Sequence, residues 1–166
     1  MTASLRRKLG TAVRMSRADQ RLALEAIAAL LVARLRGLLP FRILARHLGG
    51  LVSPPARHPP EPLGLPSPLS GPLSAPLSAG EEQVVVSIRW AIGAVAPWMP
   101  FRTLCLQQAI AARAMLARRG IGSILHLGVG DPTGTRLEAH AWLDTGGLKV
   151  TGYPVDPALA EVGRFT

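Results

Sequence analysis

Leu104-Cys105-Leu106-Gln107-Gln108 and, farther on, Glu138-Ala139-His140-Ala141-Trp142 are the two stretches that decide how this chain is read. Cys105 is the only cysteine among 166 residues, and it stands where a helical run begins. His140 stands in a run that alternates like a strand. A thiol at a helix start has unpaired first-turn amides and the positive end of the helix dipole beside it, and both favour the thiolate. An imidazole brought opposite can take the thiol proton and return it to a leaving amine. The same amides can hold the oxyanion of a tetrahedral intermediate. The pattern predicts a nucleophile, Cys105, and a general base, His140. Taken singly, a lone cysteine is a small hydrophobe and a lone strand histidine is structural; the combination carries the prediction.

Working outward, Leu104 to Arg119 reads as the helix of the thiol. Leu104, Ala109, Ala112, Met115 and Leu116 form its apolar side, and Arg118-Arg119-Gly120 closes it with cations on the negative pole and then glycine. Ile121 to Val129 reads as a strand, Gly130 to Gly134 as a turn and Leu137 to Asp144 as a second strand. Gly146-Gly147 is a tight turn, and Leu148 to Tyr153 a third strand. After Pro154 the spacing predicts a short irregular tail. Before the thiol, Glu81-Glu82 opens a helix whose stretch Val84 to Ala96 is apolar nearly all round, so it is expected to be buried. Pro97 ends it, and Trp98-Met99-Pro100-Phe101-Arg102 leads to Cys105.

Residues 51–80 read as a linker rich in proline and serine, with the tetrapeptide repeat Pro68-Leu69-Ser70-Gly71, Pro72-Leu73-Ser74-Ala75, Pro76-Leu77-Ser78-Ala79. Proline at this density removes backbone donors and bars helix and sheet. In front of it, Ser16 caps a helix over about 17–38 that Pro40 ends. Phe41 to Leu48 is a shorter basic helix stopped by Gly49-Gly50. The two helices read as an amphipathic pair packed on the main domain with arginines in solvent. The composition divides the chain into basic N-terminal helices (1–50), a linker (51–80) and a third segment (81–166) that carries the site.

The net charge of +9 is uneven: residues 1–50 hold ten basic and two acidic residues, and residues 51–166 hold nine and eight. A positive front end can meet a protein partner or an anionic membrane surface. The arginines are scattered without a recognition-helix pattern, so nucleic acid is not an expected partner. The longest apolar run, Ala26 to Ala33, falls far short of the ~20 residues of a membrane span. One cysteine excludes an internal disulfide and a multi-thiolate metal site, and suits a reducing compartment. The expectation is a cytoplasmic protein with peripheral membrane contact through residues 1–50 left open.

Several segments together resemble the leader peptidases, or "B" proteins, of lasso-peptide biosynthesis. These are Pro97-Trp98, Cys105-Leu106, Leu116-Ala117-Arg118-Arg119-Gly120, Ile124-Leu125-His126-Leu127-Gly128-Val129, Ala139-His140-Ala141-Trp142-Leu143 and Leu38-Leu39-Pro40-Phe41-Arg42. The family is transglutaminase-like and papain-like. The resemblance implies an α+β fold, a nucleophile helix followed by a small antiparallel sheet. It implies a cysteine endopeptidase that removes the leader from a ribosomally made precursor without a cofactor of its own. It also implies a separate leader-recognition protein, because residues 1–50 show no strands, and an ATP-dependent lasso cyclase as partner. The family places an aspartate about twelve residues after the histidine, where this chain has Gly152. Asp144 is about 13 Å along the strand from His140, so Asp156 is the preferred third residue; a backbone carbonyl or a water is the alternative. The missing acid also supports a second reading, a catalytically impaired scaffold that binds precursor or cyclase. Gln107 and Gln108 are expected on the helix surface, Trp98 and Trp142 in the core, and His126 in a packing role between Leu125 and Leu127. His47 and His58 are set aside.

Overall fold

A computed structural model describes residues 16–48, 51–52, 76–131 and 137–166. The basic lead-in, Gly49-Gly50, most of the proline-rich segment with His58, and the centre of the turn after residue 131 lie outside the described residues, as does the side chain of His47. Helices cover one face of a five-stranded antiparallel sheet, so the α+β class holds, with the thiol helix followed by a small antiparallel sheet. The elements are α1 (Arg17–Arg36), α2 (Phe41–Leu48), β1 (Leu51–Val52), α3 (Ala79–Val95), a short 3-10 turn (Ala96–Trp98), α4 (Cys105–Ala117), β2 (Ile124–Gly130), β3 (Glu138–Thr145), β4 (Leu148–Thr151) and β5 (Ala160–Phe165).

The sheet order is β1-β5-β2-β3-β4. The expected irregular tail is in fact β5, an interior strand between β1 and β2. Its alternation is broken by one extra residue, since Leu127 faces Gly163 and Gly128 faces Glu161, leaving Val162 as the bulge. A period-2 pattern cannot be seen through that interruption. The linker likewise begins later than its composition suggests, because Leu51 and Val52 pair with Phe165 and Arg164.

The core is built from small and branched side chains. Leu30 of α1, Ile88 and Ile92 of α3, Met115 and Leu116 of α4, and Leu125, Leu143 and Phe165 of the sheet are all sealed from solvent. α1 enters it through Ala26, Ala29, Leu30 and Ala33, whereas Leu24, Leu31 and Leu35 stay exposed beside the arginines. The expected packing of α1 on the main domain with its arginines in solvent holds, and the small residues face inward because α1 runs close along α3 and α4, and close helix approach requires them. Glu25 fastens α1 to the end of α4 by ion pairs to Arg118 at 3.2 Å and Arg119 at 2.7 Å.

Among the described residues, two of the three long helices carry serine caps. Ser16 accepts the Asp19 amide, and Ser78 forms a reciprocal capping box with Glu81. α3 thus begins two residues before Glu81, with its cap inside the proline-rich segment. α4 differs: its N-cap is Leu104, which has no side-chain acceptor to offer.

Candidate active site

Cys105 is the first residue of α4 and is half-buried against the core. The loop before it is stapled on both sides. Thr103 Oγ1 donates to the Ala96 carbonyl at 3.3 Å, and Gln108 Nε2 donates to the Thr103 carbonyl at 3.1 Å. Gln107, expected on the surface, is buried, and its Oε1 accepts the Leu104 amide at 3.1 Å. The side chain at the third helical position satisfies a donor that Leu104 cannot cap itself. The amides of Cys105 and the following residues keep the positive end of the helix, with no side-chain cap upon it.

His140 lies on β3, opposite Gly128 of β2. Its Nε2 is 2.7 Å from the carbonyl oxygen of Gly152. A carbonyl only accepts, so Nε2 carries the proton, and in the neutral ring Nδ1 presents a lone pair. Gly152 cannot be replaced by the acid that the family pattern places there. Its φ is +79°, and a Cβ would stand 2.3 Å from the Ala141 carbonyl oxygen and 2.8 Å from Trp142 Cα. The position is a point of close backbone approach that only glycine occupies without strain, and its carbonyl serves as the acceptor. Asp156 is used locally: its Oδ1 accepts the Ala158 amide at 2.8 Å. The preferred acid is thus engaged in its own turn, and the partner of His140 Nε2 is the backbone alternative.

A model of the transglutaminase-like superfamily matches residues 35–162, well over half of the chain. The chain belongs to the transglutaminase-like superfamily. Searches of curated proteins and of solved structures return no match. Membership in this superfamily, which includes transglutaminases and cysteine proteases, is consistent with an enzyme. The match runs across both boundaries drawn from composition and takes in α2, β1 and the end of α1.

In this superfamily member, alternation along β3 puts His140, Trp142 and Asp144 on one face of the sheet, while Ala141 and Leu143 pack into the helix-covered core. Trp142 is buried, but on the outer face. Its ring is stacked with His126 at 5.3 Å between centroids and with His140 at 6.2 Å. It also lies over Gly128, where a Cβ would come within 2.8 Å of Trp142 Cζ3. The glycine opposite His140 makes room for the indole that flanks it.

His126 corrects its sequence reading. It is buried, yet its partners are carboxylates rather than the neighbouring leucines, which point to the other face. Nδ1 is 2.8 Å from Glu161 Oε1, and Nε2 is 3.5 Å from Asp144 Oδ2, too long for a hydrogen bond. Glu161 is gripped by Arg164 through two bonds of 3.0 and 2.8 Å. Residues three apart on a regular strand face opposite sides; the bulge at Val162 brings Glu161 and Arg164 to one side. Burial opposes the Glu161 charge, but hydrogen bonds from His126 and Arg164 outweigh it and hold the carboxyl below its usual pKa. Asp144 also accepts the Tyr153 hydroxyl.

Among the described residues, the contacts of Cys105 include no hydrogen bond to His140. α4, which carries Cys105, packs on β3 and β4 from the helix-covered side, whereas the His140 side chain stands on the other face of β3. A cleft of about 200 Å³ is lined by Gly93 of α3, Gln108 of α4, Thr151 at the end of β4 and Gly152 and Tyr153 just beyond it, one turn from the thiol and at the carbonyl that holds His140. A shallower hollow of about 460 Å³ follows the loop from Ala96 to Thr103. Trp98, expected in the core, is exposed beside that loop. Sequence reasoning missed the Gly152 carbonyl as a specific partner, the capping role of Gln107, and Tyr153, Glu161 and Arg164. Only the glycine itself was a visible signal, as the break in the expected triad.

Proposed function

We propose that this protein is a cysteine endopeptidase that removes the leader from a ribosomally made lasso-peptide precursor. Cys105 is the nucleophile and His140 the base, and no cofactor takes part. The observation that carries the reading is the tautomer of His140. With Nε2–H given to the Gly152 carbonyl, Nδ1 is left to take the thiol proton. The thiolate attacks the scissile carbonyl, the uncapped first-turn amides of α4 receive the oxyanion, and the imidazolium protonates the leaving amine. Water then hydrolyses the thioester with His140 acting again as base. The released core carries a free N-terminal amine for an ATP-dependent cyclase. The exposed Leu24, Leu31 and Leu35 of α1, flanked by Arg34 and Arg36, support docking of a separate leader-recognition protein there. No helix of the described residues is long and apolar enough to cross a membrane.

A second reading is a transglutaminase-like scaffold that binds precursor or cyclase without cleaving. The placement of the two residues favours it, since the His140 side chain stands on the outer face of β3 while the helix of Cys105 packs on the other.

The test is co-expression with a candidate precursor, a short reading frame sought beside the gene together with the asparagine-synthetase-like neighbour that this reading expects. Wild type is expected to yield free leader, while Cys105→Ala and His140→Ala yield intact precursor with the protein still folded. Cleavage that persists in Cys105→Ala overturns the protease reading, and an intact precursor with wild type favours the scaffold.

A further inference from the structure

The carbonyl that holds His140 belongs to the peptide group between Gly152 and Tyr153, and that group is fastened at both ends. On the glycine side the backbone is wedged against the Ala141 carbonyl oxygen and Trp142 Cα, as the forbidden Cβ position shows. On the tyrosine side the phenol is hydrogen-bonded to Asp144 Oδ1, and Lys149 Nζ lies 5.1 Å from the ring centroid. Asp144 stands on β3 four residues after His140 and shares its face. Its second oxygen faces His126 Nε2 at 3.5 Å, and His126 leads on to Glu161 and Arg164.

We infer that Tyr153 and Asp144 are positioning residues for His140: the Tyr153 hydroxyl, tied to Asp144, fixes the peptide plane whose carbonyl accepts the Nε2 proton. The carboxylate that a triad would place on the imidazole acts here at one remove, through a phenol and a backbone carbonyl. The inference rests on the reading of His140 as the base. Neither residue touches the reacting atoms. Burial and the Asp144 carboxylate push the Tyr153 phenol above its ordinary pKa, so it remains a donor throughout the range in which a thiol is titrated.

The contribution is to geometry, so the readout must see the imidazole. Full-length protein with ¹⁵N-labelled histidine reports the His140 tautomer directly, and the rate of Cys105 alkylation by iodoacetamide near neutral pH reports whether the base still activates the thiol. Wild type is expected to show one tautomer, with the proton on Nε2. Tyr153→Phe is expected to mix the two tautomers and slow alkylation by about tenfold, the worth of one well-placed hydrogen bond. Asp144→Asn keeps an oxygen acceptor for the phenol and is expected to retain the wild-type tautomer, whereas Asp144→Leu should behave like Tyr153→Phe. Thermal unfolding identifies the folded variants, and Asp144→Leu decides the matter if Tyr153→Phe does not fold. A folded Tyr153→Phe or Asp144→Leu with the wild-type tautomer and alkylation rate overturns the inference. That outcome differs from failure of the protease reading, which shows as precursor cleavage surviving in Cys105→Ala whatever the tautomer does.

Discussion

His126 and His140 stand on either side of Trp142, on one face of one sheet, and are held in opposite ways. His126 is buried with carboxylates facing both ring nitrogens, at 2.8 and 3.5 Å. His140 is half-buried, and its one described hydrogen bond is to a neutral carbonyl. The difference separates an imidazole whose acid partners tie β2, β3 and β5 together from one with a single neutral partner. In the first, a carboxylate faces each ring nitrogen, though only Nδ1 is within hydrogen-bonding distance. A ring held by one carbonyl keeps the other nitrogen as a lone pair.

The comparison breaks most severely at Gly152. Supplying the acid that a triad would call for, by Gly152→Asp, is expected to damage the protein rather than improve it. A side chain at φ +79° costs about 1–3 kcal/mol in backbone strain alone. Its Cβ also meets backbone oxygen at 2.3 Å, which cannot step aside. Calorimetry should show a melting temperature lower by at least roughly 5 °C. Unchanged stability would mean that the β3–β4 approach is looser than described.

On the other side of Trp142, Glu161→Gln is expected to cost about 1–2 kcal/mol near neutral pH, through charge-assisted bonds weakened at His126 and Arg164. The folded pKa of Glu161 lies below its ordinary value. Its stabilising contribution is therefore full above the ordinary carboxylate range and is lost as pH falls through the lowered folded value. Denaturant titrations should show the gap between wild type and variant closing on acidification; a gap independent of pH would contradict the ion pairing. The smallest effect is expected from His126→Gln on the thiol: the alkylation rate of Cys105 should stay within about twofold of wild type, the level of an indirect contact. A large drop would merge the two histidines into one functional unit.

Much of this was legible in the chain, and the rest was hidden for identifiable reasons. The thiol helix, the β2–β3–β4 meander and the Gly146-Gly147 turn follow from periodicity and glycine placement, because each rests on contacts close in sequence. β5 was hidden by its bulge, and its pairing with β1 joins residues more than a hundred positions apart. At the site, the residue types at Cys105 and His140 stood out. The partner of His140 did not, because a backbone carbonyl has no side chain to be read. His126 was misjudged from its sequence neighbours: Leu125 and Leu127 flank it in the chain but point to the opposite face. The spacing of α1 marks it as amphipathic without showing which residues face inward: Ala26, Ala29, Leu30 and Ala33 do, and Leu24, Leu31 and Leu35 stay exposed.

On the proposed reading His140, held by the Gly152 carbonyl, takes the proton of Cys105. The rate of Cys105 alkylation by iodoacetamide near neutral pH, measured in wild type and in a folded His140→Ala, tests this step. Rapid alkylation of wild type and markedly slower alkylation of His140→Ala are expected. Equal rates in the two proteins would contradict the pairing of this imidazole with this thiol.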